Sequence, residues 1–226
     1  MGKRHISIIV PTLNEAHGIT ATLTPLQALR QAEHEVIVVD GGSTDDTVVH
    51  AAPLADRLVT APRGRARQMN AGAAAATGDV LLFLHADTML PLDAAAHITA
   101  GQSHHWGRFD VRLTGAHPLL RIVESMMNLR SRLTGITTGD QALFVERALF
   151  LAVGGFPEQP LMEDIALSRT LKRYGRPLCL RAKVTTSSRR WEQNGVCSTI
   201  LLMWRLRLAY FLGADPARLA RLYHRP

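Results

Sequence analysis

Val80-Leu81-Leu82-Phe83-Leu84-His85-Ala86-Asp87-Thr88 is the stretch that decides the fold. Its five consecutive apolar residues are too few for a typical helix and read as a strand buried on both faces. The run stops at His85-Ala86-Asp87, which puts an imidazole and a carboxylate at the carboxyl end of a rigid element. In an open α/β sheet that edge is where ligands bind.

The residues before it repeat the pattern. Ile6-Ser7-Ile8-Ile9-Val10 is a β-branched strand closed by Pro11, and Thr12-Leu13-Asn14-Glu15 is a polar loop. A helix is expected from about Ile19 to Leu29, kinked or delayed by Pro25. Glu35 to Asp40 is a second buried strand ending in a carboxylate, and Gly41-Gly42 allows a tight turn. Ser43 with Asp46 resembles a capping box opening a short helix through Val48 to Ala51. Arg57 to Thr60 is a third strand. Arg63-Gly64-Arg65-Ala66-Arg67 then opens an alanine-rich helix to about Ala76, stopped by Gly78. The order β-α-β-α-β-α-β over about ninety residues argues a parallel sheet with right-handed crossovers.

The second half is less regular. Leu92 to Ala100 suggests a helix, and Arg108 to Leu113 alternates like a half-exposed strand. Leu119 to Leu133 is a helix, and Ala142 to Val145 a short strand after Gly139-Asp140-Gln141. Arg147 to Val153 is a helical turn, Glu163 opens a helix ending near Tyr174, and the tail from Val196 is helical. We expect one domain over residues 1–226, made of a first half (1–90), a second half (91–195) and a helical tail (196–226).

Composition sets the bounds. The 226 residues include 46% hydrophobic and 20% charged side chains, enough for a sizeable core. Two cysteines without knuckle spacing favour a reducing, cytoplasmic setting. The amino-terminal apolar run is too short for a signal peptide, and Arg205 and Arg207 interrupt the longest apolar run, Ile200 to Leu212. A net charge of +7 points to an anionic partner: nucleic acid, a phosphorylated substrate or an anionic membrane.

Three strands deliver polar ends to one edge: Thr12, Asn14 and Glu15; Asp40; His85 and Asp87. A helix opening with three arginines lies between the second and third sites, and the set suits a nucleoside diphosphate. Neither a Gly-x-x-x-x-Gly-Lys-Ser/Thr loop nor a Gly-x-Gly-x-x-Gly fingerprint follows the first strand, so a nucleotide site here rests on acidic residues and metal.

Ile8-Ile9-Val10-Pro11-Thr12-Leu13-Asn14-Glu15, Val39-Asp40-Gly41-Gly42-Ser43-Thr44-Asp45-Asp46-Thr47, Gly78-Asp79 and His85-Ala86-Asp87 together resemble the family 2 glycosyltransferases of GT-A fold, over at least residues 6–173. Arg63 to Gly72, Leu84 to Thr88 and Gly139-Asp140-Gln141 are similar to a small bacterial branch of unknown substrate. The resemblance implies an α/β fold with a Rossmann-like mixed sheet, mostly parallel and flanked by helices. It implies an inverting, metal-dependent transfer of sugar from a nucleotide sugar, by default a UDP-sugar, to a hydroxyl acceptor. Pro11, Thr12 and Glu15 would line the base and ribose pocket, with Asp40 accepting from the base. Arg63 and Arg67 would approach the nucleotide, and Asn70 would brace the loop. His85-Ala86-Asp87 stands where the family carries Asp-x-Asp, so Asp87 would hold Mg²⁺ or Mn²⁺. Glu163-Asp164 matches the family's Glu-Asp pair, with Asp164 as general base and Glu163 as the weaker candidate.

Other readings stay open beside these. His85 either ligates metal, bonds a phosphate or supports its loop. Asp140 and Gln141 either line the acceptor pocket or end a strand. Arg189-Arg190-Trp191 loosely resembles an acceptor-side Arg-Trp element, but Ser187 stands where a Gln is expected. The tail, with Trp204, Tyr210 and Phe211 among arginines, is either an interfacial helix contacting membrane or a packing surface for the domain or a homodimer partner. The rival functions are a sugar-nucleotide nucleotidyltransferase and a non-catalytic basic module binding nucleic acid or membrane; the motifs favour no nucleic-acid partner.

Overall fold

The computed structural model describes residues 4–101 and 103–223. Met1 to Lys3, at the head of the stretch weighed as a leader, and the last three tail residues lie outside them. The chain runs β1 (Ile6–Thr12), α1 (Ile19–Leu23), α2 (Gln27–Gln31), β2 (Glu35–Asp40), α3 (Thr47–Ala51), β3 (Arg57–Thr60), α4 (Arg65–Ala75) and β4 (Val80–Phe83). β5 (Thr88–Met89), α5 (Ala94–Ala100), β6 (Trp106–Leu113), α6 (Pro118–Thr134), β7 (Phe144–Glu146), α7 (Arg147–Ala152) and α8 (Glu163–Leu171) follow. It ends with β8 (Leu178–Thr186), α9 (Arg189–Gln193), α10 (Val196–Phe211) and α11 (Pro216–Tyr223).

Among the described residues, eight strands form one mixed sheet in the order β3-β2-β1-β4-β7-β6-β8-β5. β3, β2, β1 and β4 are mutually parallel, as the alternating pattern requires. β7 is antiparallel to both β4 and β6, and so joins this half to the second. Apolar side chains alternate between two cores along each central strand. Ile8, Val10, Val36, Val38, Leu82 and Leu84 enter one, while Ile9, Ile37, Val39, Leu81 and Phe83 enter the other. β4 is therefore buried on both faces.

Several elements depart from the expectations. β1 continues through Pro11 to Thr12. Its pairing with β4 ends at Ile9↔Phe83, so beyond it β2 is the strand partner and a proline is tolerated there. Pro25 breaks the first helix into two, with a 3-10 turn at Thr24–Leu26. Ser43 is not a helix cap. Its Oγ donates to Asp40 at 2.5 Å, and Asp45 Oδ1 accepts from the Thr47 amide at 3.1 Å instead.

β6 is not half-exposed: only Arg112 along it reaches solvent. Its buried charges are matched, because Arg108 pairs with Asp110, and Arg132 from α6 donates to the same carboxylate at 2.6 Å. β8 lies beside β6 in parallel and has no counterpart in the sequence reading; nor do β5 and α9.

Candidate active site

The carboxyl ends of β1 and β4 open onto a cavity of about 570 Å³. Pro11, Thr12 and Glu15 line one side, and His85, Ala86 and Asp87 line another. Arg63 and Arg65, at the start of α4, face them, and Tyr223 of α11 contributes to the wall. Asn14 takes a left-handed conformation (φ 55°) and ties the β1 and β2 loops together. Its amide donates to Ser43 Oγ at 2.9 Å and its Oδ1 accepts from the Thr44 amide at 2.9 Å.

Asp40 does not line this cavity. Its Oδ2 accepts from the Gly42 and Ser43 amides at 2.9 and 3.0 Å, so the carboxylate organises the β2 turn. Gln68 sits behind it, buried, donating to the carbonyls of Thr12 and Val39 at 2.7 and 3.0 Å. That bridge fixes the two strand ends relative to α4. Burial pushes the Glu15 carboxyl up, and the negative charge of Asp87 adds to it against the opposing Arg189.

The three arginines of the Arg63–Arg67 stretch separate. Arg63 and Arg65 reach the cavity, whereas Arg67 turns outward to Glu158 at 3.1 Å. Arg65 pairs with Glu163 Oε1 at 3.0 Å. Asn70 clamps the chain before α8, donating to the Phe156 carbonyl at 2.8 Å and accepting from its amide at 2.9 Å.

Glu163 and Asp164 stand in the first turn of α8, which starts after Met162 in the left-handed region (φ 67°). Their environments differ. Glu163 is 3% exposed, and burial, reinforced by Asp164, pushes its carboxyl up despite Arg65. Its Oε2 has no hydrogen-bond partner among the described residues. Asp164 is only partly buried and accepts from the Gly139 amide at 2.9 Å through Oδ2. It lines a small crevice with Thr138, Gly139 and His85, and His85 lines the larger cavity too.

His85 leans on the 3-10 turn Gly139–Gln141, so tightly that a Cβ at Gly139 would collide with its ring. Its Nδ1 lies 3.6 Å from Asp140 Oδ1. Burial disfavours the imidazolium, but the Asp140 carboxylate outweighs burial and holds the His85 pKa up; the same contact holds Asp140 down. Gln141 is fully buried behind this turn, its Oε1 accepting from the Thr138 amide at 3.2 Å. Trp191 lies elsewhere, packed against Leu113, Leu120, Val123 and Val196.

Among the described residues, no three or more His, Cys, Asp or Glu side chains gather to hold a metal. Asp87 with Glu15 nearby nevertheless suits a hard divalent cation that takes most of its ligands from phosphate oxygens and water. Sequence reasoning passed over Arg65, Gln68 and Tyr223. The first two lie inside the quoted Arg63–Gly72 stretch, but nothing in it shows which side chains turn inward. Tyr223 is beyond any motif.

Residues 7–99 match the model of glycosyl transferase family 2. A PGL/p-HBAD biosynthesis glycosyltransferase of Mycobacterium bovis is 32% identical over 169 residues, covering 66% of this chain and 62% of that protein. The chain thus spans less than two thirds of that relative's length. S. aureus TarS (residues 1–349) in complex with UDP-GlcNAc superposes with a TM-score of 0.66 at 22% identity, over 81% of this chain and 58% of that one. Glucosyl-3-phosphoglycerate synthase of Mycobacterium tuberculosis with Mn²⁺, UDP and glucosyl-3-phosphoglycerate gives 0.60 at 22% identity, over 81% and 71%. The fold is that of the GT-A glycosyltransferases, and residues 7–99 are similar in sequence to glycosyl transferase family 2.

Proposed function

We propose that this protein transfers a sugar from a nucleoside diphosphate sugar, by default a UDP-sugar, to a hydroxyl acceptor with inversion at the anomeric carbon. The observation that carries this reading is the placement of Asp164 in a crevice that shares His85 with the Asp87 cavity. On this reading Asp87 serves the diphosphate side and Asp164 the acceptor side. TarS and glucosyl-3-phosphoglycerate synthase, which share the fold, were crystallised with UDP-GlcNAc and with UDP and Mn²⁺, respectively.

The chain's own residues divide the work. Pro11, Thr12 and Glu15 hold the base and ribose, while Asp40 and Gln68 fix the loops that present them. Arg63 and Arg65 face the diphosphate and stabilise the charge that grows as it leaves. Glu163 holds Arg65 in place. Asp164 takes the proton from the acceptor hydroxyl as its oxygen bonds to the anomeric carbon and the bond to the diphosphate breaks. Asp87 would hold Mg²⁺ or Mn²⁺, which when bound supplies further neutralisation of the leaving group. His85, leaning on Asp140, sets the floor between the two sides.

A thermal-shift panel of nucleoside diphosphates with and without Mn²⁺ tests the donor side. UDP with Mn²⁺ at a hundred times its Kd adds about 2.7 kcal/mol of stability. Asp87→Ala removes the Mn²⁺-dependent part of that shift. A shift unchanged in the variant rejects Asp87 as the metal residue, and no shift with any nucleotide favours a non-catalytic basic module.

We also propose a peripheral contact with anionic membrane. No helix among the described residues is long and apolar enough to cross a bilayer. α6 and α10, however, expose apolar stripes that carry no exposed acidic side chain.

A further inference from the structure

Arg65 from α4, Arg130 from α6 and Arg207 from α10 all bear on Asp140 and Asp164. Arg65 is held by Glu163. Arg108, which also bears on Arg130, is committed to Asp110. Arg130 and Arg207 make no ion pair among the described residues, and neither lines the cavity of Asp87 and Arg63.

The state of Arg130 is specific. Its Nη1 lies 3.5 Å from the Ile136 carbonyl, but Nε and Nη2 are buried with no partner among the described residues. Those two nitrogens form one edge of the guanidinium, the pair of parallel N–H groups that grips an oxyanion bidentately. Burial, and then the like charge of Arg207, pull the Arg130 pKa down to about 10, while the pulls of Asp164 and Asp140 fall short of compensating. Burial also lowers Arg207. A buried pair of under-matched cations, one with an empty bidentate edge, is complementary to an anion brought in from outside.

We propose that Arg130 and Arg207 form an oxyanion subsite beside Asp164, which makes the acceptor a hydroxyl compound bearing a phosphate-like or carboxylate group. The proposal rests on the reading of Asp164 as the base of the transfer and extends it to the acceptor's class. The anion would dock between α6 and α10, and its hydroxyl would present to Asp164, whose Oδ2 is steadied by the Gly139 amide. The donor's diphosphate would have its own cations, Arg63 and Arg65, which line the cavity of Asp87.

Calorimetric titration of inorganic phosphate into the whole protein, free and saturated with UDP and Mn²⁺, tests this. Phosphate is expected to bind in both states, and binding to weaken about tenfold or more in Arg207→Gln and in Arg130→Lys, which keeps the charge but loses the bidentate edge. The melting temperature and UDP affinity of each variant serve as the folding control. If Arg130→Lys does not fold, Arg207→Gln alone decides. Phosphate displaced by UDP, bound equally by the variants or not bound at all overturns the subsite. If UDP does not bind but phosphate binds through the arginines, the donor reading falls and the subsite stands.

Discussion

Glu35, at the start of β2, shows what a buried carboxylate does when the fold supplies donors. Its Oε1 accepts from the Thr77 amide at 2.6 Å, the Thr77 hydroxyl at 2.9 Å, the Gly78 amide at 3.2 Å and the Ser7 hydroxyl. Burial alone would raise its pKa, yet these bonds to the charged form outweigh burial and hold it below the usual carboxylate range. A depressed folded pKa means the contribution is present above the unfolded value near 4.5 and lost as pH falls through the folded value. Glu35→Gln should therefore lose about 1.5–3 kcal/mol at neutral pH in urea denaturation, and the gap to the parent should narrow as pH falls below 4.5. A constant gap down to strong acid would show that the charge is not the stabilising feature. Asp164 has a catalytic task on the proposed reading. Asp164→Asn retains the side chain's shape and its acceptor for the Gly139 amide but cannot take a proton. It should bind UDP with Mn²⁺ as the parent does and lose about 10²–10⁴ in kcat. Turnover near that of the parent would remove Asp164 as the base.

At the scale of elements, α4 is what brings the arginines to the strand ends, and its approach to the sheet depends on Gly72. A Cβ there would collide with Ile9 Cγ2 and come within 2.9 Å of Val39 Cγ2. Gly72→Ala gains helix propensity but forces α4 off β1 and β2, both fully buried at those positions. We expect a net loss of about 1–3 kcal/mol, together with weaker UDP binding because Arg63, Arg65 and Gln68 move with the helix. A stabilised variant with parental UDP affinity would show that the sheet yields instead. The parallel half was legible because Ile8 to Val10, Val36 to Val39 and Leu81 to Leu84 are uninterrupted apolar runs whose only stable place is a doubly covered sheet. β6 misled because Arg108 and Asp110 alternate with apolar residues as solvent-facing charges do. Their match through Arg132, on the next helix, becomes visible only once the chain is folded. β8 escaped because Arg181 and Lys183 break its pattern and its pairing with β6 shifts register at Phe109/Asp110. The motif residues at the ends of β1, β2 and β4 were legible as a group. Which of them face the cavity was not, since Asp40 turns to its own loop, Arg67 to the distant Glu158, and Tyr223 arrives from the far end of the chain.

At the scale of the whole molecule, one surface stands apart. Ile122, Met126, Leu129 and Leu133 recur at helical spacing on the outer side of α6, each at least half exposed. Leu201, Trp204, Leu208 and Phe211 do the same on α10, with Leu212 just after it, and α10 packs against α6 through Val196 and Ile200. Contiguous apolar surface of this kind marks an interaction site. The exposed charges on the two helices, Arg132 and Arg205, are basic; the acidic residue of α6, Glu124, is buried. With a net charge of +7, the proposed partner is an anionic bilayer, which would receive Trp204 at the depth of the head groups. Burying one Trp and one Leu contributes about 1.5–3 kcal/mol each, so the doubly substituted Trp204→Gln/Leu208→Gln protein should lose at least tenfold in affinity for phosphatidylglycerol vesicles. The parent's binding should also weaken with added salt and be slight on phosphatidylcholine alone. Both side chains are exposed and line neither the cavity nor the crevice, so UDP affinity should not change. Equal vesicle binding by parent and variant would reject the face as the membrane contact. A concentration-dependent dimer of the parent, dispersed by the same substitutions and indifferent to vesicles, would instead assign the face to a second copy of the chain.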